Sequence, residues 1–373
     1  MPVPLRNGTA LVATISFALA ISIFFKSRES LVATLPLRWA DSAVIKASPS
    51  TPLGEGRNST SELIKIVHIT SPYRVDNCSQ PFCPLGQDQS VAMESMIRAR
   101  ANARTAAVTL ASAVFTEDAD IVPAPFVRLA NLARSTASVY PDLNLGKRMP
   151  FLGDIFDSLK TSADYVSHDY VVYTNADIIL HENFYNKIVH AMSSREIDDR
   201  IDSVHNLELD AFLVNRQTIP KVGEDGRPYT AADLNKIFAL KDVKGHPGPD
   251  CFVMRRAIFE KIVMGDLFLG IRPTAGVLLL QLMNLANNFR KFDSFALGVT
   301  YHLGNDMNWG KEDAKRATKI NYSNMPREAV SAVLSFCKPD FDLPRKSRKY
   351  GCKPWKESKE GLSFRGQPYT HGV

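Results

Sequence analysis

The sequence predicts an α/β protein: an open, twisted, mostly parallel sheet flanked by helices, behind an N-terminal transmembrane anchor. Three observations predict it. From residue 62 onward, short apolar runs alternate with segments of helical period, the pattern of a parallel sheet covered on both faces. With 373 residues, 45% of them apolar and 23% charged, the chain has the composition and length to bury one large core. Between Arg6 and Lys26 lie 19 residues without a charge. As a helix they span roughly 28 Å, close to the thickness of a hydrocarbon core.

Residues 1–26 therefore read as a short cytoplasmic tail and a signal-anchor, with the apolar run at 11–25. A cleaved signal peptide is the rival, but the run is long and ends Phe24-Phe25-Lys26 without a small-x-small site. The charges around the run favour a type II orientation, with the bulk of the chain in the lumen of the Golgi or endoplasmic reticulum. Residues 27–61 are rich in Ser, Thr, Pro, Ala and Gly and have no period, so they read as a flexible stem. Asn58-Ser59-Thr60, Asn77-Cys78-Ser79 and Asn321-Tyr322-Ser323 are glycan acceptor triplets for that compartment. All five cysteines follow the apolar run, where disulfides form. Their spacing suggests the pairs Cys78 with Cys83 and Cys337 with Cys352, and leaves Cys251 in an apolar run as a buried thiol. Of the net charge of +6, +5 comes from nine Lys or Arg against four Asp or Glu at 338–365. Residues 341–373 thus read as a solvated basic tail. An acidic glycan or phospholipid surface suits it, and nucleic acid belongs to another compartment.

The globular domain is placed at 62–340. Residues 63–70 form its first strand, broken at Ser71-Pro72, and 89–107 follow as a helix with Met93, Met96, Ile97, Arg100 and Arg104 at helical spacing. A strand at 108–115 ends in the acidic turn 117–120. Helices follow from Pro125 to Arg134 and over 154–162. Residues 170–173 are a strand that stops at Asn175-Ala176-Asp177, and 183–192 are helical. Beyond lie a strand at 211–215, a helix at 232–240, a short strand at 251–254 and helices at 256–263 and 277–290. A last strand occupies 298–302.

Ligands of such sheets sit beyond the carboxyl ends of the strands, so chemistry is sought where strands stop. Asp177 closes an apolar strand, where a carboxylate either holds a hard divalent cation or caps the following helix. In Gly245-His246-Pro247-Gly248-Pro249-Asp250 the glycines let the backbone approach a ligand closely, and Asp250 stands at the mouth of the next strand. There it acts as a general base, or simply ends a Gly-Pro turn. His302 ends the last strand, either as a ligand that Mn²⁺ tolerates or as a hydrogen-bonded core residue.

These three stretches, in this order, resemble the nucleotide-diphospho-sugar transferase superfamily, the GT-A type of glycosyltransferase, over about residues 63–309. The resemblance implies that Asp177 matches the last Asp of the Asp-x-Asp metal motif and His302 the metal histidine. Gly248 matches the acceptor-side loop and Asp250 the acid that faces the acceptor. It implies Mn²⁺ or Mg²⁺ as cofactor, a nucleoside-diphosphate-sugar donor, and a glycan or glycoprotein acceptor. Thr70, Ser71 and Asp118 fall where such folds hold nucleobase and ribose, and Arg148 and Asp154 where phosphate and ribose are contacted. The pattern departs at Asn175, which stands where the first Asp is usual and brings no charge. If Asp250 is the base, the anomeric centre inverts; if it only positions the acceptor, retention is open. Asn175 also keeps open a non-catalytic, membrane-anchored glycan-binding module. A sulfotransferase would need a basic phosphosulfate loop after its first strand, and residues 68–73 have none.

Overall fold

The computed structural model describes residues 63–74, 85–145, 148–163, 165–192, 195–198, 203–206, 209–292, 294–304, 312–328, 330, 355–358, 361–364 and 367–368. The chain divides into two compact units, Leu63–Lys338 with Gln367–Val373, and Met1–Glu62 with Pro339–Gly366.

The first unit begins with β1 (Ile64–Thr70), α1 (Gln87–Ala101), β2 (Ala106–Ser112) and the two-residue β3 (Val127–Arg128). Next come α2 (Thr136–Val139), α3 (Leu152–Lys160), β4 (Tyr170–Thr174), β5 (Ile179–Leu180) and α4 (Phe184–Met192). A hairpin of β6 (Arg195–Asp198) and β7 (Ser203–Asn206) leads to β8 (Ala211–Ile219), α5 (Leu234–Phe238) and the long β9 (Lys244–Arg255). The rest comprises α6 (Arg256–Phe259), α7 (Thr274–Leu285), β10 (Phe289–Phe292), β11 (Thr300–Leu303) and α8 (Glu312–Ser323).

Among the described residues nine strands make one sheet in the order β3-β2-β1-β4-β9-β8-β11-β5, with β10 beside β8. The alternating apolar runs do produce an α/β fold, and its sheet is mixed: five of the eight strand pairings among the described residues are parallel and three antiparallel. Strand β9 runs antiparallel to both β4 and β8, and β5 runs antiparallel to β11. Strand β9 is long because residues 245–249, which read as a turn, are instead extended. Gly245 pairs with Gln217 and Pro249 with Asn215, and the ladder is bulged between Val214 and Gln217. A bulge is where a sheet tolerates proline, because no regular ladder donor is required there.

Pairing also shortens the helices. Helix α1 stops at Ala101, short of 107, because Ala106 already pairs with Ile64. Helix α7 stops at Leu285, since Phe289 pairs with Ala211. The helix expected from Pro125 to Arg134 is absent; Val127 and Arg128 join the sheet edge beside Ala111 and Ser112.

One side of the sheet is filled by Met93, Met96, Phe184, Tyr185, Ile188 and Phe212 with the inward residues of β1 and β4. Cys251 lies there as a buried free thiol. Within this apolar layer His68 is almost wholly buried, its Nδ1 2.7 Å from the Tyr185 hydroxyl and its Nε2 2.9 Å from Thr174 Oγ1. Burial lowers its pKa from 6.5 to about 3. Between those values the unfolded chain binds a proton that the folded chain refuses. Stability contributed by neutral His68 is therefore present above pH 6.5 and lost as the pH falls, by at most about 1.4 kcal/mol per pH unit. His68→Gln is expected to flatten that limb of the stability curve in urea unfolding between pH 6.5 and 3, and an unaltered slope would exclude His68 as its source.

Asn321, read above as a glycan acceptor, is fully buried. Its amide donates to the Phe268 carbonyl and to Thr274 Oγ1, and its Oδ1 accepts from the Phe268 amide. It holds a loop in place and offers no attachment point. The triplets at Asn58 and Asn77, the stem, and Cys78, Cys83, Cys337 and Cys352 lie outside the described residues. Among the described residues no helix is long and apolar enough to cross a membrane, and the run 11–25 lies outside them. In the second unit the described residues, within what reads as a basic tail, form an antiparallel hairpin of β12 (Trp355–Ser358) and β13 (Gly361–Phe364).

Candidate functional site

Register sets the site. Strands β1, β2 and β4 are parallel, so Thr70 is level with Ser112, and Thr174 ends β4 at the same edge. Strand β8 points the same way, since it is antiparallel to β9, which is antiparallel to β4. His302, opposite Thr218 of β8, reaches that edge too. Asp250, preceding the Cys251 that pairs with Thr174, enters from the opposite direction. One edge thus collects the residues at which strands stop, as an α/β crevice requires.

After Thr174 the chain turns, with the Ile178 amide donating to the Asn175 carbonyl, and returns as β5 against β11. This return brings Asp177 Oδ2 to 3.2 Å from His302 Nε2. His302 Nδ1 lies 2.9 Å from the Gly304 carbonyl, which can only accept, so Nδ1 carries a proton. Its Nε2 then either carries a second proton and donates to Asp177, or turns a lone pair toward the same point as the carboxylate. Burial opposes protonation of His302, but the Asp177 carboxylate outweighs it and raises the pKa above its ordinary value. Burial would likewise raise Asp177, yet the His302 hydrogen bond and the charges of His302 and Arg216 hold it low.

This pair fits a divalent cation. Two donor atoms 3.2 Å apart match an octahedral edge, about 3 Å for ligands at about 2.1 Å. Asp177 is 34% exposed, so an ion can reach it. Its Oδ1 has no hydrogen-bond partner among the described residues. A ligating histidine commonly donates its other N–H to a backbone carbonyl, as His302 does here. No group of three or more His, Cys, Asp or Glu converges among the described residues. Among the described residues Asp177 and His302 are thus the two that could hold such an ion, with substrate oxygens and water able to complete the shell.

Beside it lies a second network. Asp250 Oδ1 accepts from the Asn175 amide at 3.1 Å, and Asn175 Oδ1 accepts from the Tyr173 hydroxyl at 3.3 Å. Asp250 Oδ2 is 3.0 Å from Arg216 Nη1, with both side chains nearly buried. Burial pushes the Asp250 carboxyl up; Arg216 and His302 oppose this and Asp177 reinforces it. Burial also lowers His246 to about 4, helped by the charges of Arg216 and His302. The neutral ring accepts the Gly248 amide at 2.9 Å. A Cβ on Gly248 would stand 2.5 Å from His246 Cε1 and 3.2 Å from Asp250 Oδ2. Gly248→Ala is therefore expected to displace His246 and to cost about 1–3 kcal/mol in denaturant unfolding; unchanged stability would show that the ring yields freely.

Thr70 and Ser112 place two buried hydroxyls side by side, neither with a hydrogen-bond partner among the described residues, and Ser71 is buried next to them. Asp118 is buried between Arg74 and Arg148, each 3.7 Å from its Oδ1. Arg148 also pairs with Glu117 and lies over the Phe115 ring. Asp154 is not brought to this group: both its oxygens are held by Arg134, which also binds Asp266. The structure thus joins Asp177 with His302 and Asn175 with Asp250. Sequence reasoning missed Arg216, Tyr173 and His246. The one available signal was an arginine following Asn215 at the end of an otherwise apolar strand.

No family model matches the chain and no curated protein matches it. Among solved structures, Staphylococcus aureus TarS in complex with UDP-GlcNAc is 10% identical over 72% of this chain and 70% of that one, with a TM-score of 0.34. A 4-diphosphocytidyl-2C-methyl-D-erythritol synthase from Anaerococcus prevotii is 9% identical over 69% of this chain and 96% of that one, TM-score 0.34. A protein assigned as a nucleotide-diphospho-sugar transferase from Desulfovibrio desulfuricans is 11% identical over 72% and 97%, TM-score 0.29. At such TM-scores they assign neither activity nor ligand to this chain.

Proposed function

We propose that the chain is a glycosyltransferase that moves a sugar from a nucleoside-diphosphate donor to a glycan or glycoprotein acceptor, with Mn²⁺ or Mg²⁺ held by Asp177 and His302. The observation that carries this reading is the 3.2 Å convergence of Asp177 and His302 at a strand edge, next to a second, nearly buried carboxylate, Asp250. The cation, when bound, neutralises charge on the departing diphosphate. His302 keeps its lone pair aimed by donating Nδ1–H to Gly304.

Asp250 takes the proton of the acceptor hydroxyl. The oxygen then bonds to the anomeric carbon as the bond from that carbon to the diphosphate breaks, with its electron pair leaving on the diphosphate, and the centre inverts. The raised proton affinity of Asp250 suits a base working near neutral pH. We place the protein in the membrane of the Golgi or endoplasmic reticulum, anchored by residues 11–25, on the sequence pattern alone.

The second reading, a glycan-binding module without turnover, draws on one observation: both oxygens of Asp250 face groups of the protein, Asn175 and Arg216. A thermal-shift screen of the chain against nucleoside diphosphates and their sugars, with and without Mn²⁺, tests the proposal. A true donor at a hundredfold excess over its dissociation constant adds about 2.7 kcal/mol of apparent stability. His302→Ala is expected to weaken Mn²⁺-dependent donor binding, with excess Mn²⁺ restoring part of it. If the donor binds His302→Ala unchanged at limiting Mn²⁺, His302 is no ligand.

A further inference from the structure

We infer that Arg216 is an anion-binding residue which Asp250 holds in reserve, and that a diphosphate takes Arg216 from Asp250 on binding. The inference rests on the nucleotide-sugar reading for the identity of the anion, and on geometry for the exchange itself.

Arg216 stands on the irregular stretch of β8 between Val214 and Gln217, where the ladder to β9 shifts. Its side chain is 11% exposed, and its one ion pair among the described residues is Nη1 to Asp250 Oδ2 at 3.0 Å. The buried Nε has no hydrogen-bond partner there. A guanidinium carries five N–H donors in a planar fork, and leaving one buried and unmet is costly. Through Asp250, Arg216 is joined to Asn175, two residues before Asp177. A phosphate group seated on Arg216 would meet the open donor and offer the bidentate geometry that guanidinium prefers.

Asp250 is built to stay behind. Its other oxygen is tied to the Asn175 amide, which the Tyr173 hydroxyl keeps oriented. A carboxylate at position 175 would face Asp250 across about this same gap and repel it, which gives the neutral residue there a purpose. While paired, Asp250 is masked by a full positive charge; once Arg216 turns to the anion, Oδ2 is free to accept a proton. The exchange therefore sets an order, with donor before acceptor.

The test uses inorganic pyrophosphate and the metal-free, full-length chain in EDTA, followed by calorimetry, with urea unfolding of each variant to establish that it is folded. Asp250→Asn removes the competitor and is expected to bind pyrophosphate about tenfold more tightly than wild type, the size of one charge-assisted hydrogen bond. Arg216→Gln is expected to bind at least about tenfold more weakly, with Arg216→Lys between, since it keeps charge and loses the fork. The double variant should match Arg216→Gln. Equal or weaker binding by Asp250→Asn overturns the exchange, as does a double variant that keeps the tighter binding. Tighter pyrophosphate binding by Asp250→Asn, with no added affinity for UDP, GDP or CDP, upholds the exchange and removes the nucleotide reading.

Discussion

Asp177→Asn is expected to abolish Mn²⁺-dependent donor binding and to take turnover with it. The amide keeps the shape of the side chain and its place near His302, but it loses the charge that makes a hard cation bind. On the proposed reading, removing this carboxylate leaves the neutral imidazole of His302 as the other proposed ligand among the described residues, and the diphosphate would lose counter-charge in the transition state. A cation acting on a departing phosphate group is worth several kcal/mol, so a loss of about 10³-fold or more in kcat/KM is the scale to expect. Calorimetry of donor with and without Mn²⁺, beside a transfer assay, measures both effects. Donor affinity that still depends on Mn²⁺ as in wild type would remove Asp177 from the metal site.

Asp250→Asn should separate differently. Turnover is expected to fall about 10²- to 10⁴-fold, the contribution of a positioned base, while donor affinity is gained. The asparagine fills the same space but loses the charge that holds Arg216, and a buried arginine left without a carboxylate lowers stability. Unfolding curves for the variant therefore accompany the kinetics, so that lost protein is not mistaken for lost catalysis. A kcat that stays at the wild-type value with folded protein would show that Asp250 only positions the acceptor or takes no part.

How far the residues foretold this arrangement can be judged element by element. Strands β1, β4 and β11 were legible because Ile, Val, Tyr and Thr cluster there and turn residues close them; α3 and α4 were legible from their apolar stripes. Asp177, just beyond the end of β4, and His302, near the end of β11, are brought within hydrogen-bond distance. What failed depended on partners distant in sequence. Residues 245–249 carry two glycines and two prolines, local signals for a turn, and only pairing with β8 reveals a strand. The same pairing places Arg216 against Asp250, so the network around Asp250 was invisible without register. Asn321 satisfies a glycan acceptor pattern, yet α8 packs it inside, which no triplet records. Asp154 was chosen for its position before the metal strand, whereas Arg134 and Asp266 join it in an ion-pair cluster of their own.

The central claim is that Asp177 and His302 hold a divalent cation which in turn holds a nucleoside diphosphate. Titrating Mn²⁺ into the full-length chain and following its electron paramagnetic resonance signal, alone and with UDP, GDP or CDP, tests it most directly. Weak Mn²⁺ binding that one nucleotide strengthens at least about tenfold, and that Asp177→Asn eliminates, is the predicted result. Mn²⁺ binding that is indifferent to every nucleotide, or that survives Asp177→Asn, would contradict it.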